Sequence, residues 1–127
     1  MMGKRMIRLV ASAILCFVGG GSAWAQSAAE GKKLYATYCS SCHGDTGKGD
    51  GPAAMSLPAK PADHSAGKTM NQLSDKFLVD IISKGGPAVG KSAFMPGWGG
   101  QLQEKQVRDI VAYVRSIANP PFKEPGK

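Results

Sequence analysis

The chain has 127 residues, of which 43% are hydrophobic, enough for one small domain with its own core. Its formal net charge is +7, but the Lys and Arg residues form no basic run and no recognition motif. Nucleic-acid binding is therefore not indicated. Loss of three basic residues with the predicted export signal would leave 13 − 9 = +4, a modest excess that favours an acidic protein partner.

An export signal is predicted at the amino terminus. Three basic residues within the first eight positions precede an apolar run, Leu9 to Val18, and Ala23-Trp24-Ala25 fits a small-residue cleavage site. The apolar run is too short to span a bilayer as a helix. We expect cleavage after Ala25 and a periplasmic product, residues 26–127, without stable membrane insertion. An uncleaved short anchor is the alternative.

The first predicted helix runs from about Ala28 to Tyr38, after a capping box at Ser27 to Glu30. It leads into Cys39-Ser40-Ser41-Cys42-His43, the C-x-x-C-H signature of covalent haem attachment. Each thiol can bond one vinyl group of a porphyrin, which places the histidine under the iron as its proximal ligand. The sequence therefore predicts one haem c with its iron, held by Cys39, Cys42 and His43.

A C-x-x-C pair also occurs in three other kinds of site. Half of a zinc site would need four N or S ligands, and outside the motif the mature chain offers only His64. A thioredoxin-like pair would need strand–helix–strand surroundings, for which the sequence gives no sign. A structural disulfide would leave the adjacent histidine unexplained. Haem attachment is favoured over all three.

Two long irregular loops follow, separated by a helix. Gly44 to Lys68 is rich in Gly and Pro and lacks periodicity, and Ala88 to Leu102 is similar. The helix between them begins after a Ser74 cap and ends at Gly85-Gly86-Pro87. Such long loops are unusual in a small domain unless they lie over a flat cofactor. His64, in the first loop, is expected to be a solvated loop histidine.

The second loop contains the preferred candidate for the second axial ligand, Met95, which is followed by Pro96 and flanked by glycines. Met55 and Met70 are expected to pack apolar surface instead. His64 as the ligand and an open site are the alternatives. A thioether held in both oxidation states suits electron transfer, whereas an open site would bind small ligands.

The last helix is the clearest, with apolar residues at three- and four-residue steps from about Glu104 to Ala118. Asn119-Pro120-Pro121 ends it, and the tail from about residue 119 to Lys127 is predicted to be frayed.

With these motifs in this order, the chain from Ala28 to Ile117 resembles a class I monohaem cytochrome c of the small bacterial periplasmic type. The resemblance implies a compact all-α fold in which three main helices and two long loops surround one covalently bound haem. It places Gly31 and Tyr113 at a glycine–aromatic crossing of the first and last helices. It also implies that the carbonyl of Pro52 accepts the ring N–H of His43. Trp98 is expected to pack on the haem or bond a propionate, with plain core packing as the alternative.

The function expected from this resemblance is electron transfer rather than catalysis, with one electron carried on a His/Met-ligated haem. The alternatives are a haem subunit of a larger periplasmic oxidoreductase complex and a sensor or peroxidase-like enzyme with an open sixth site. We expect a monomer or a subunit of a complex, whose redox donor and acceptor have acidic docking surfaces. The candidate lysines for steering them are Lys48, Lys60, Lys84 and Lys91.

Overall fold

The computed structural model describes residues 25–124, and within that range the chain is helical and has no strands. Five α-helices, α1 to α5, span Ala28–Tyr38, Ser40–His43, Gly67–Met70, Asp75–Lys84 and Glu104–Ile117. Two 3₁₀ turns lie at Ala54–Ser56 and Gly86–Val89. The predicted all-α architecture, with α1, α4 and α5 as its main helices, is confirmed for the described residues.

The predicted export signal lies outside the described residues except for Ala25. Among the helices that are described, none combines the length and the apolar composition needed to cross a membrane.

The three main helices, α1, α4 and α5, begin where the sequence predicts, because their caps form, whereas the short α3 was not predicted. The Ser27 hydroxyl accepts the Glu30 amide at 3.2 Å, and the Ser74 hydroxyl accepts the Phe77 amide at 3.1 Å. The first capping box is only half made, since the Glu30 carboxylate pairs with Lys33 at 2.8 Å. At α5 the box is complete, and the Gln103 amide donates to the Gln106 side chain at 2.9 Å.

The core forms where α1 crosses α5. Gly31 lies against the backbone of Asp109, and the rings of Tyr35 and Tyr113 meet edge to face with centroids 5.0 Å apart. Gly31 and Tyr113 therefore both lie at this crossing, as predicted. Gly31 packs on the backbone of Asp109, and Tyr113 packs on Tyr35. The apolar stripe of α5 faces inward, with Val107, Ile110 and Val111 each only 1% exposed.

The start of the tail is bound, so the prediction of fraying from residue 119 is wrong for residues 119–122. The Asn119 amide donates to the Ser65 carbonyl at 2.9 Å, and the Asn71 side-chain amide donates to the Pro120 carbonyl at 3.0 Å. The guanidinium of Arg115 lies 3.9 Å from the centre of the Phe122 ring. Backbone carbonyls make most of these contacts, and a sequence pattern does not reveal them.

Candidate haem site

A largely apolar cavity of about 620 Å³ opens between the end of α1, the first loop (residues 44–66), α4 and the second loop (residues 85–103). This volume is within the ordinary range of cofactor sites. Five of the six predicted site residues line it: Cys39, Cys42, His43, Met95 and Trp98. The sixth, Pro52, does not.

The two thiols lie where α1 gives way to the short helix α2. Cys39 closes α1 by donating its amide to the Tyr35 carbonyl at 2.8 Å, and the His43 amide donates to the Cys39 carbonyl at 2.9 Å. Burial, and secondarily the neighbouring Cys42, raise the pKa of Cys39 to about 12. A rigid helical turn therefore holds two thiols and one imidazole at one cavity wall.

The imidazole of His43 is oriented by a backbone hydrogen bond. Its Nδ1 lies 3.0 Å from the Ala62 carbonyl oxygen, and a carbonyl only accepts, so Nδ1 carries the proton and Nε2 has a free lone pair. Burial lowers the pKa of His43, although the Ala62 bond opposes the shift. The ring is thus neutral at ordinary pH, which is the form that binds iron.

This bond differs from the prediction, which gave the acceptor role to Pro52. Pro52 is exposed, and its neighbours bind the backbone of α2: the Gly51 amide donates to Cys42 at 3.1 Å, and the Ala53 amide donates to Ser41 at 2.9 Å. These bonds hold the turn at residues 51–53 against the backbone of α2. The chain reaches the His43 ring only later in the first loop, at Ala62.

The backbone around Met95 is fixed to the end of α4. The Met95 carbonyl accepts the Gly86 amide at 2.9 Å, and the Trp98 amide donates to the Ile82 carbonyl at 2.8 Å. A β-carbon on Gly97 would lie 2.6 Å from the carbonyl carbon of Lys84, so the segment is pressed closely against the helix end. Met95 thus lines the cavity from a backbone with little freedom.

The other two methionines of the described chain differ from each other. Met70 is 3% exposed and also lines the cavity, so it packs apolar surface as predicted. Met55 is 95% exposed and does not line the cavity, so its predicted packing is wrong.

Trp98 packs edge to face on Tyr38, with ring centroids 5.1 Å apart, and both rings line the cavity. This position is compatible with either predicted role, packing on a haem or filling the core.

His64 is the largest departure from the sequence interpretation. It is not a solvated loop residue but is half-buried, with its ring stacked on that of His43 at 4.2 Å between centroids. Its Nδ1 is hydrogen-bonded to the Tyr35 hydroxyl at 3.0 Å. Burial and the proximity of His43 lower its pKa to about 3. The only signal in the sequence was a histidine in a Pro-rich loop, which does not reveal burial.

The donor set and the cavity together fit a covalently bound haem. Two thiols and a neutral imidazole share one wall, a thioether stands in the second loop, and the space between is mostly apolar. Thiols, imidazole and thioether are the groups by which proteins hold c-type haem.

Comparison with known proteins identifies the family. Residues 26–114 match the family model described as cytochrome c oxidase, cbb3-type, subunit III. The cbb3-type cytochrome c oxidase subunit FixP of Bradyrhizobium diazoefficiens is 32% identical over 91 residues, which cover 71% of this chain and 27% of that subunit. The chain therefore spans about a quarter of the length of that relative.

Two other relatives are closer in length. Cytochrome c6 of Thermostichus vulcanus is 31% identical over 114 residues, covering 89% of this chain and 91% of the relative. The solved c-type cytochrome KustC0563 has a TM-score of 0.57 and 25% identity, covering 70% of this chain and 98% of that structure.

The chain belongs to this cytochrome c family and is a small monohaem class I c-type cytochrome. It accordingly binds one haem c, covalently attached and containing iron. Its relatives are cytochromes and a subunit of a cbb3-type cytochrome c oxidase.

Proposed function

We propose that this protein is a periplasmic carrier of single electrons. Its haem is attached through Cys39 and Cys42, and the iron is held between the imidazole of His43 and the thioether of Met95. The observation that carries the proposal is that all four side chains line one apolar cavity. When bound there, the haem iron supplies a one-electron couple between the ferric and ferrous states.

The two proposed ligands are held by separate parts of the fold. The Ala62 carbonyl fixes the protonated nitrogen of His43 at 3.0 Å and leaves Nε2 for the iron. Bonds of the second loop to Gly86 and Ile82 fix the backbone around Met95. Ligands held in this way change position little between oxidation states, which favours fast transfer. The neutral thioether favours the ferrous state relative to a second imidazole and so raises the potential.

His64 is unsuited to the sixth position because of its own contacts. Its ring stacks on His43, and its Nδ1 is bonded to Tyr35. A sixth ligand must approach the iron from the face opposite His43, so a ring parallel to His43 and beside it lies on the wrong side. The remaining candidate donors are the two methionines in the cavity lining, Met95 and Met70.

Met95 is preferred over Met70 because of what fixes each backbone. The Met70 carbonyl accepts the Arg115 guanidinium at 2.8 Å, and Met70 is almost completely buried in the hydrophobic core. Met95 is only partly buried and lies in an irregular loop directed at the cavity. Met70 therefore serves packing, whereas Met95 is available to the iron.

The proposed partner approaches the open side of the cavity, where Lys60 and Lys91 are both exposed and both in its lining. Lys84, in contrast, pairs with Asp80 at 2.8 Å and is partly neutralised. Lys60 and Lys91 are thus the best candidates for steering an acidic redox protein toward the haem edge.

A second candidate function is that of a haem subunit within a larger oxidoreductase. It is favoured by the similarity to an oxidase subunit, FixP, over 71% of this chain. Size-exclusion chromatography of the protein purified from its own periplasm separates the two: a free carrier elutes at the size of a small monomer, and a subunit elutes with its complex.

The proposal is tested by visible spectra of the purified protein in both oxidation states. We expect a low-spin ferric spectrum with the weak far-red iron–thioether band, and pigment that stays with the protein in acid–acetone. Met95→Ala should lose the band, while Met70→Leu, the matched control on the same cavity, should keep it. Extraction of the pigment would contradict the attachment, and loss of the band in Met70→Leu but not in Met95→Ala would contradict the ligand assignment.

A further inference from the structure

The rings of the two histidines of the described chain, His43 and His64, lie almost parallel. Their centroids are 4.2 Å apart and their planes make an angle of 19°. Such a stack limits rotation of either ring about the bond that joins it to its β-carbon, because rotation would drive ring atoms into the neighbouring plane.

His64 is itself held from its backbone and from its side chain. Its amide donates to the Gly47 carbonyl at 2.6 Å, and its Nδ1 is hydrogen-bonded to the Tyr35 hydroxyl at 3.0 Å. A β-carbon on Gly47 would lie 3.2 Å from the β-carbon of His64, so these two segments of the loop are in close contact there.

Tyr35 connects this arrangement to the most rigid part of the core. It is 1% exposed, and its ring packs edge to face on Tyr113 of α5 with centroids 5.0 Å apart. A continuous series of contacts thus runs from the α1–α5 crossing through Tyr35 and His64 to the ring of His43.

His43 needs such support because its single hydrogen bond fixes one atom and not the plane of the ring. The Ala62 carbonyl holds Nδ1 at 3.0 Å, but the ring can still tilt about that contact. Ala62 is separated from His64 by a single residue, so the same short segment supplies both the acceptor and the stacking ring.

We infer that His64 is a positioning residue that sets the ring plane of His43, and through it the electronic structure of the iron. The inference rests on the proposed function, in which His43 is an iron ligand. The orientation of an axial imidazole determines how unpaired ferric spin spreads over the porphyrin, and the surroundings of that ligand influence the potential.

The test is proton NMR of the ferric holoprotein together with its reduction potential, in the native protein and four variants. His64→Leu removes the flat ring and the bond to Tyr35, so the haem-methyl resonances should change their spread and order and the potential should shift. His64→Phe keeps a flat ring and should retain a methyl pattern close to the native one.

If His64→Leu gives no holoprotein, Tyr35→Phe tests the role of His64 instead. It removes the hydrogen bond that fixes His64 and keeps the packing on Tyr113, so it should also displace the methyl resonances. Tyr113→Phe is the matched control, because its hydroxyl contacts the Asp45 carbonyl at 3.5 Å and not His64. It should leave the methyl pattern native.

A native methyl pattern and potential in His64→Leu, even with reduced stability, would overturn the inference and leave His64 as packing only. An equal displacement in Tyr35→Phe and Tyr113→Phe would also overturn it. Failure of the proposed function has a different signature. If His43 is not a ligand, the native ferric protein labelled with ¹⁵N-histidine shows no hyperfine-shifted imidazole resonances.

Discussion

Gly31 of α1 lies directly against the carbonyl of Asp109 of α5: a β-carbon on Gly31 would fall 1.8 Å from that oxygen. No rotation of a side chain relieves such an overlap, because the opposing atom belongs to the backbone. The glycine costs α1 about 1 kcal/mol of helix propensity relative to alanine and in return allows the two helices to approach this closely.

Gly31→Ala should therefore destabilise the protein, although alanine is the better helix former. We expect the free energy of unfolding to fall by about 1–3 kcal/mol or more, since the helices must move apart. Urea denaturation followed by circular dichroism measures it. Gly100→Ala is the control, because a β-carbon at Gly100 meets nothing within 4 Å. Equal stability of the two variants would show that the close crossing does not exist.

Arg115 connects α5 to the segment between α3 and α4. Its guanidinium donates to the Met70 carbonyl at 2.8 Å and to the Leu73 carbonyl at 2.5 Å, and its Nε donates to Asp75 at 2.9 Å. Arg115→Lys keeps the charge but cannot reach all three acceptors, so we expect a loss of about 2–4 kcal/mol in the free energy of unfolding.

The control for Arg115 is Arg108→Lys on the same helix, where the partner is the exposed carboxylate of Glu104. A loss of less than about 1 kcal/mol is expected there. If Arg115→Lys is as mild as Arg108→Lys in the same denaturation experiment, the bonds to Met70 and Leu73 do not stabilise the fold.

Because of Tyr35, the free energy of unfolding should depend on pH in the alkaline range. Burial raises the pKa of Tyr35 above the ordinary value of 10.0. The folded chain therefore keeps the phenol proton at pH values where the unfolded chain releases it, so stability falls as pH rises above about 10. Tyr35→Phe should remove this part of the slope, whereas Tyr38→Phe should keep it. Urea denaturation at several alkaline pH values, showing one slope for all three proteins, would refute the assignment to Tyr35.

Lys60 and Lys91 should govern the rate with a charged redox reagent. Oxidation of the ferrous protein by anionic ferricyanide should slow as ionic strength rises, because salt screens the attraction. In stopped-flow measurements the double variant Lys60→Gln, Lys91→Gln should react severalfold more slowly at low salt and show a weaker salt dependence. Lys33→Gln, a change on the exposed side of α1, should behave like the native protein. If the double variant reacts at the native rate and with the native salt dependence, these two lysines are not part of the docking surface.

The parts of the fold that the sequence predicts are those set by local chemistry. The caps at Ser27 and Ser74 and the apolar period of α5 specify helices from residues a few positions apart. The C-x-x-C-H motif is equally local, because one helical turn fixes both thiols and the imidazole. These features need no knowledge of how distant segments meet.

The parts that were missed depend on contacts between distant segments. The acceptor for His43 is the backbone carbonyl of Ala62, 19 residues away, and every residue has a carbonyl. His64 is hydrogen-bonded to Tyr35, which is 29 residues away and on another element. The tail is bound through the carbonyls of Asn119 and Pro120, which carry no side-chain signal. Only the assembled fold reveals these partners.

Carbon monoxide added to the ferrous protein at neutral pH tests the central claim most directly. If Met95 is bound to the iron, carbon monoxide should not change the visible spectrum of the native protein. Met95→Ala, in which that coordination position is free, should bind the gas at once. Prompt binding by the native protein, as fast as in Met95→Ala, would contradict the account and favour a sensor or peroxidase-like enzyme with an open site.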